Sequence, residues 1–424
     1  RRYFKKEKKL SATNPNREKI MYSTLLALVI LGYLIEALRI VGTGMPIGEK
    51  SWAPVGYAIA VVIKAFNFSD SSLGLTYRIF WFAHMVNTMA FLAIIPYTKF
   101  LHMFIIPLNA LLSKDKQGAI LNPMNFEDEE AESFGLSKLS EMTMKNRMDL
   151  LSCVECGRCT NVCPALHSGK NLNPKTIITK ARDLAQSDPN TDVEFWGDKP
   201  IYESNELDAC TTCGACMEEC PANIEHVNII MEAKRYKALT LGDIPPAAAD
   251  AINKIKINGN PWGLSQDERF KWSEGLDVPV ISPDKKVDYL YYIGCAGSYD
   301  AENQKVVKNT IALLKSANID FAVLGKSEKC NGDPIRRFGD EYSFYEVAVE
   351  NIEHLNQYDF KMVVTHCPHC LHTIGKEYGK FDSGNFKTIH HSELLAQLIQ
   401  NGQLKPKNPI NSRMTFHDPC YLGR

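Results

Sequence analysis

The chain has 424 residues, 23% of them charged, and its 48 Lys and Arg against 49 Asp and Glu leave a formal net charge of −1. That length allows two or three domains, and the near balance of charge argues against an electrostatic nucleic-acid binder. The uneven features are local: a basic start, two long apolar segments within the first 112 residues, and 13 cysteines that all fall after residue 150.

The first apolar segment, IMYSTLLALVILGYLIEALRIV, runs 22 residues from Ile20 to Val41, and a second runs from Ile79 through Pro96 into LHMFIIPLNALL. Each is long enough to cross a hydrocarbon layer of roughly 30 Å. Transmembrane helices are therefore expected over about 20–41 and 78–108, in a membrane domain of residues 1–112. The alternative, a pair of buried helices in a soluble domain, is disfavoured by their all-round apolar character. Arg1, Arg2, Lys5, Lys6, Lys8, Lys9, Arg17 and Lys19 precede the first span, whereas the connection from Thr43 to Arg78 carries only Lys50, Lys64 and Arg78. Positive charge stays inside, so a multi-pass protein of the cell membrane is expected, with both ends and all the cysteines on the cytoplasmic side. No small-residue cleavage site follows a short apolar core, so neither span reads as a secretory signal. The chain opens on Arg1 and stops four residues after Cys420, which reads as a fragment of a longer protein.

His84 and His102 sit near the ends of the second span. On one continuous helix their separation of eighteen residues is five whole turns, which puts them on one face roughly 27 Å apart. An ionisable residue in a membrane helix is costly and by default a functional candidate, and imidazole is a common axial ligand of haem iron. Both are therefore candidate haem b ligands, with partner ligands supplied from outside this segment; the alternative is two interfacial histidines that meet headgroups. Pro96 would kink the helix between them.

After a charged linker, 113–146, comes CVECGRCTNVCPA, and 46 residues beyond its last cysteine comes CTTCGACMEECPA. The spacing C-x2-C-x2-C-x3-C-P thus occurs twice, at Cys153, Cys156, Cys159 and Cys163 and at Cys210, Cys213, Cys216 and Cys220. Soft thiolates at this spacing wrap 4Fe-4S clusters, the fourth cysteine of each run serving the other run's cluster. One cluster is assigned to Cys153, Cys156, Cys159 and Cys220, the other to Cys210, Cys213, Cys216 and Cys163. Structural zinc would want two C-x2-C pairs or histidine partners, and disulfides do not suit a reducing cytoplasm. Gly157 and Gly214 stand where the chain must turn tightly around a cofactor. The intervening NPKTIITKARDLAQ and the following NIEHVNIIMEAKRYKAL are helical patterns, so residues 147–240 are expected to form an α-helical two-cluster ferredoxin that acts as a wire.

Past a linker, 241–285, β-like runs (VDYLYYIG, FAVLG, KMVVTH) alternate with helices expected near 301–317 and 340–355, an α/β unit with a mainly parallel sheet over 286–400. Cys295, Cys330, Cys367 and Cys370 each follow such a strand, and loops at the carboxyl ends of parallel strands converge on one crevice. His366, His369, His372, His390, His391 and His417 lie nearby, as supports or as ligands and proton handlers. Arg336 and Arg337 read as a solvated helix start or as a dock for an acidic carrier.

Cys295, the CNG at 330–332, Cys367 and Cys370 resemble the cysteine-rich CCG module of heterodisulfide reductases and of the iron-sulfur subunit of anaerobic glycerol-3-phosphate dehydrogenase. Cys420 in FHDPCYLGR looks like the first cysteine of a second module beginning at 401–424. The order of parts is similar to fused membrane-bound Fe-S oxidoreductases, with a membrane domain like the nitrate reductase gamma subunit; within them it resembles the electron-transfer-flavoprotein:menaquinone oxidoreductase type of fatty acid β-oxidation. The resemblance implies a multi-domain chain of membrane helices, ferredoxin and CCG domain that passes electrons from a soluble flavoprotein through Fe-S clusters and haem b to menaquinone. Cys295, Cys330, Cys367, Cys370 and Cys420 would stand at the flavin-facing end, the first four as ligands of a further Fe-S cluster. The family pattern has two adjacent cysteines before the glycine; here Asn331 follows Cys330, leaving four thiolates, which suit an ordinary cube. Glu36, Arg39 and Asn87 are candidate quinone contacts. Two alternatives remain open: reduction of a disulfide at the CCG site by electrons from a membrane quinol, and a non-catalytic carrier or redox-sensing subunit.

Overall fold

The computed structural model describes residues 15–113, 120–127, 133–187, 194–196, 200–417 and 419–423. The chain divides into two compact units, one of Arg1–Leu111 with Leu151–Gly157 and one of Leu112–Leu150 with Arg158–Arg424.

In the first unit α1 (Pro15–Gly42) packs against α2 (Pro54–Lys64) and α3 (Asp70–Ile94), around a small core of Ala37, Ile40 and Ala60. Pro15–Gly42 and Asp70–Tyr97 are long and apolar enough to cross a membrane. Their large side chains point outward, among them Leu26, Val29, Ile79, Phe82, Met89 and Leu92. Such a surface suits lipid. Ser69 caps α3, accepting from Ser72 N at 3.3 Å. Its far end corrects the expected single helix over 78–108. Pro96 has no N–H to continue the ladder, and α3 gives way at Ile94 to 3-10 turns at Ile95–Tyr97 and Lys99–Leu101 before α4 (His102–Leu112). The five-turn register between His84 and His102 therefore does not hold. The connection after α1 also holds α2, a helix not anticipated from the sequence.

In the second unit the later cysteine run, with Cys159 and Cys163 of the earlier one, lies among short helices and two amphipathic ones, α5 (Pro174–Ser187) and α6 (His226–Arg235), which bury Ile177, Ile178, Ala181, Ile229, Ile230 and Met231. The segment read as a linker over 241–285 is instead part of the fold. It contains α7 (Pro246–Asn258) and a 3-10 segment, Gln266–Ser273, whose Ile252, Ile255 and Trp272 are core residues.

The expected strands and helices of the α/β unit are present: β1 (Val287–Tyr292), α8 (Ala301–Ser316), β2 (Phe321–Ala322), α9 (Glu341–Leu355) and β3 (Phe360–Thr365). A further strand, β4 (Thr388–His390), and α10 (His391–Gln400) complete it. All pairings are parallel, in the order β2-β1-β3-β4, with Tyr289 beside Phe321 and Met362. β1 is buried on both faces, as a helix-covered parallel sheet requires. Leu290 and Tyr292 face Phe344 and Ile352, while Tyr291 faces Val307, Ile311 and Leu394. The chain leaves β1 to one side for β2 and returns on the other for β3. This order creates a switch point between β1 and β3, where ligands of open α/β sheets bind.

Candidate metal centres

The two cysteine runs adopt matching backbones. Glu155 and Thr212, each just before the second cysteine, have φ of 55° and 53°, and Gly157 and Gly214, just after it, have φ of 75° and 73°. Left-handed conformations cost a β-branched residue such as Thr212 of the order of 1–3 kcal/mol and persist only where the surroundings impose them. Here they curl the loop about its thiols, and Thr212 N donates to Cys210 Sγ at 3.4 Å. Cys163, Cys210, Cys213 and Cys216 line one open-mouthed recess, walled by Pro164, Leu172, Pro174, Val227 and Ile230. Burial pushes the thiols of Cys163, Cys210 and Cys216 up, so this dry recess suits thiolates only with a cation between them. Four soft donors around an apolar space with backbone N–H at sulfur fit a 4Fe-4S cube. Among the described residues no three His, Cys, Asp or Glu side chains converge on a single ion position; ligands of a cube face its four corners instead. Cys159 shares a core patch with Cys216, and Cys220 is buried. Cys153 and Cys156 belong to the first unit.

The first unit ties the earlier run to its own helices. Lys99, in the 3-10 break, pairs with Glu155 at 3.0 Å and with Glu18 of α1; both carboxylates are buried.

The second constellation stands at the switch point. Cys295 follows β1, Cys330 follows β2, and Cys367 and Cys370 follow β3. Cys330 donates to Cys295 and Cys370 to Cys367. Gly294 (φ 73°) brings the β1 loop so close that an added Cβ would lie 3.1 Å from Cys370 Sγ, a place for glycine alone. The bond from Cys330, with Arg269 Nη1 and Nη2 at 3.8 and 3.7 Å, holds Cys295 below the ordinary thiol range. The bond from Cys370 lowers Cys367 to about 6. The donors, Cys330 and Cys370, are driven well above the ordinary range. Asn331 turns its Oδ1 to Asp333 N at 2.9 Å, just ahead of the helix Asp333–Arg337, whose N-cap is Gly332.

That helix corrects one expectation. Arg336 and Arg337 are not solvated. Arg336 is fully buried and grips Glu341 at 2.7 and 3.1 Å, while Arg337 meets Glu377 at 2.5 Å and Asp333 at 2.9 Å. Asp333 also binds His369 Nδ1 at 2.7 Å, so the knot clips the Cys330 loop to the turn carrying Cys367 and Cys370. Asp333 and Glu341 are near neighbours in the chain, whereas Glu377 stands 40 residues from Arg337 and is brought there by packing. His372 lies against Glu377 at 3.4 Å. His366 bonds Tyr291 through Nδ1, and His390 reaches the His366 carbonyl. His391 meets these two edge-on, and His417 is exposed.

Residues 289–375 match the cysteine-rich CCG domain and residues 149–224 the 4Fe-4S dicluster domain. The chain is 31% identical to one component of the dihydromethanophenazine:CoB--CoM heterodisulfide reductase of Methanosarcina barkeri, over 67% of this chain and 71% of that protein. It belongs to the heterodisulfide reductase family of iron-sulfur oxidoreductases. It is also 32% identical to the probable iron-sulfur-binding oxidoreductase FadF of Bacillus subtilis, over 94% of this chain and 63% of that protein. To the EtfAB:quinone oxidoreductase of Syntrophomonas wolfei it is 33% identical, over 100% of this chain and 64% of that protein. The chain thus spans somewhat less than two thirds of the length of these last two relatives. No solved structure is significantly similar.

Within this family frame, the structure brings in residues that motif reading missed. Lys234 Nζ donates to Cys210 O at 3.2 Å and to Arg337 O at 3.0 Å, joining the dicluster and CCG parts. Tyr421, next to Cys420, bonds Thr212 Oγ1 and packs its ring 4.7 Å from His369 and 4.5 Å from His372. Arg269 and Glu328 reach the thiol site from outside the cysteine motifs; a buried-charge signal appears only once the fold is known.

The membrane-unit residues divide similarly. His84 Nδ1 is buried with no hydrogen-bond partner among the described residues, facing Gly32 of α1. His102, half-buried, bonds the Lys99 carbonyl through Nδ1. Of the suggested quinone contacts, Arg39 is held by Glu49 at 2.9 and 3.0 Å, Asn87 donates to Thr24 O at 3.1 Å across the helix pair, and Glu36 packs over Gly56.

Proposed function

We propose that this chain is the electron-relay portion of a membrane-anchored oxidoreductase that takes electrons from a soluble flavoprotein and delivers them to menaquinone. The observation that carries the reading is the bridge in the second unit. The recess lined by Cys163, Cys210, Cys213 and Cys216 and the crevice lined by Cys295, Cys330, Cys367 and Cys370 are joined by Lys234 and Tyr421, a route made of hydrogen bonds and ring contacts. Bound clusters supply reversible one-electron storage. Cys153, Cys156, Cys159 and Cys220 would hold the other ferredoxin cluster. His84, whose orphaned nitrogen costs roughly 1–3 kcal/mol unless something binds it, and His102 would ligate haem b. Cys420 would belong to a second CCG centre. The likeness to the EtfAB:quinone oxidoreductase supports the donor and acceptor classes, the two apolar helices support membrane anchoring, and the basic residues ahead of the first span support a cytoplasmic side for the cluster domains.

A second reading, disulfide reduction at the CCG site by electrons from a membrane quinol, is favoured by the likeness to the heterodisulfide reductase. A reconstituted assay separates them. Quinone reduction that depends on reduced flavoprotein, without disulfide reduction, is expected; disulfide reduction by quinol with no flavoprotein activity would replace the first reading by the second.

A further inference from the structure

One buried charge pair stands against the thiol crevice although neither member belongs to a cysteine motif. Arg269, on the 3-10 segment, is 1% exposed and Glu328 is 2% exposed. Arg269 Nη2 donates to Glu328 Oε1 at 2.8 Å, and Nη1 donates to Gly259 O at 3.3 Å. Both Nη atoms also approach Cys295 Sγ. Glu328 receives Ile293 N and Gly294 N, each at 2.8 Å, and so fixes the loop that presents Cys295. Arg269 Nε has no partner among the described residues.

Desolvating a guanidinium and a carboxylate costs several kcal/mol per ion, and apolar residues of the same shape often serve stability as well or better. Shape alone does not account for the pair. The arrangement is also directional: the cation faces sulfur, whereas the anion faces backbone N–H groups. Charge fixed in a low-dielectric site acts strongly on a neighbour whose own charge changes, and hydrogen bonds at cluster sulfurs are a recognised lever on potential.

We propose that Arg269 sets the reduction potential of the centre held by Cys295, Cys330, Cys367 and Cys370, with Glu328 holding the guanidinium against Cys295 and offsetting part of its charge. The inference rests on the reading of those four thiols as ligands of an iron-sulfur cluster. The step concerned is one electron in from the reduced flavoprotein and the same electron out to the neighbouring ferredoxin centre. No bond forms or breaks. A fixed cation favours the form with the extra electron, so Arg269 raises the potential and lets the site accept electrons from the donor.

The test is a redox titration of the full chain, isolated anaerobically with its clusters and followed by electron paramagnetic resonance, with the ferredoxin signals as internal reference. R269Q is expected to lower the reduced-to-oxidised ratio at fixed potential about tenfold, a downward shift of about 59 mV for one electron. E328Q, which leaves the guanidinium unbalanced, is expected to shift the midpoint upward, and R269K to leave it near that of the unaltered protein. The double variant R269Q/E328Q should fall between the two single glutamine variants. A merely structural role would loosen the Cys295 loop in both single variants and move them the same way. Shifts of equal sign, or an unmoved midpoint in R269Q with the cluster retained, overturn the inference. If R269Q loses the cluster, the sign of E328Q decides: an upward shift supports it and any other result refutes it. Absence of a third cluster signal in the unaltered protein overturns the iron-sulfur reading itself, a failure distinct from unmoved potentials.

Discussion

The knot that clips the cysteine loops together can be cut at Glu377. This carboxylate is fully buried between two guanidiniums, 3.4 Å from Arg336 Nη1 and 2.5 Å from Arg337 Nη2. Removing one partner of a buried pair typically costs 3–5 kcal/mol, because the remaining charge loses its compensation. In Glu377→Gln, Arg336 keeps its paired bonds to Glu341 and Arg337 keeps Asp333 at 2.9 Å, so the lower end, about 3 kcal/mol, applies. That is roughly a hundredfold in the folding equilibrium, a large share of the 5–15 kcal/mol typical of a domain. With a urea dependence of about 2 kcal/mol per molar, the midpoint should fall by about 1.5 M. The transition is followed by fluorescence of the detergent-solubilised chain, Trp272 being the tryptophan buried in the sheet core, and in parallel by loss of cluster absorbance. Glu350→Gln, which breaks an exposed pair with Lys329, is the control and should move the midpoint by less than about 0.5 M. A Glu377→Gln midpoint within the control's range would show that the buried charges do not brace the loops, and the reasoning fails.

The same knot predicts acid sensitivity. Burial opposes ionisation of Glu377 and Asp333, but Arg337, with Arg336 at Glu377 and His369 at Asp333, overcomes it and holds both carboxyls below their ordinary range. Their contribution should be complete above the unfolded value of roughly 4 and be lost as pH falls through the folded values. Urea midpoints level from pH 7 to 5.5 and falling below pH 4 are expected; a midpoint that rises on acidification would contradict this. Cys213→Ser should remove one cluster signal while leaving the CCG signal, as counted by iron analysis and paramagnetic resonance; loss of all signals together would argue against separate sites. Gly214→Ala, at φ 73°, should cost about 1–2 kcal/mol and slow cluster reconstitution, whereas Gly169→Ala, with open space around it but φ 84°, should cost the backbone term alone and leave reconstitution rates unchanged.

Local pattern decided a great deal of this protein. Cysteine spacing, the first apolar span, the amphipathic helices at Pro174–Ser187 and His226–Arg235, and the alternation of strands and helices after residue 286 are all short-range signals, and these helices and strands appear where the residues put them. A period of 3.6 or 2 and a ligand spacing are properties of neighbouring residues, so the chain alone carries them.

What only the tertiary structure decided is which distant groups share a dry space. Arg336 and Arg337 look like a solvated helix start until Glu341 and Glu377 fold over them. Arg269 sits in what reads as a linker until its segment packs against Cys295. Pro96 marks a break in the sequence, but whether the chain kinks or leaves the helix through two 3-10 turns depends on what Lys99 and Thr98 can bond to. The energy of a buried charge is set by its partners across the fold, and Glu377 and Glu328 stand 40 and 59 residues from Arg337 and Arg269, the arginines they meet.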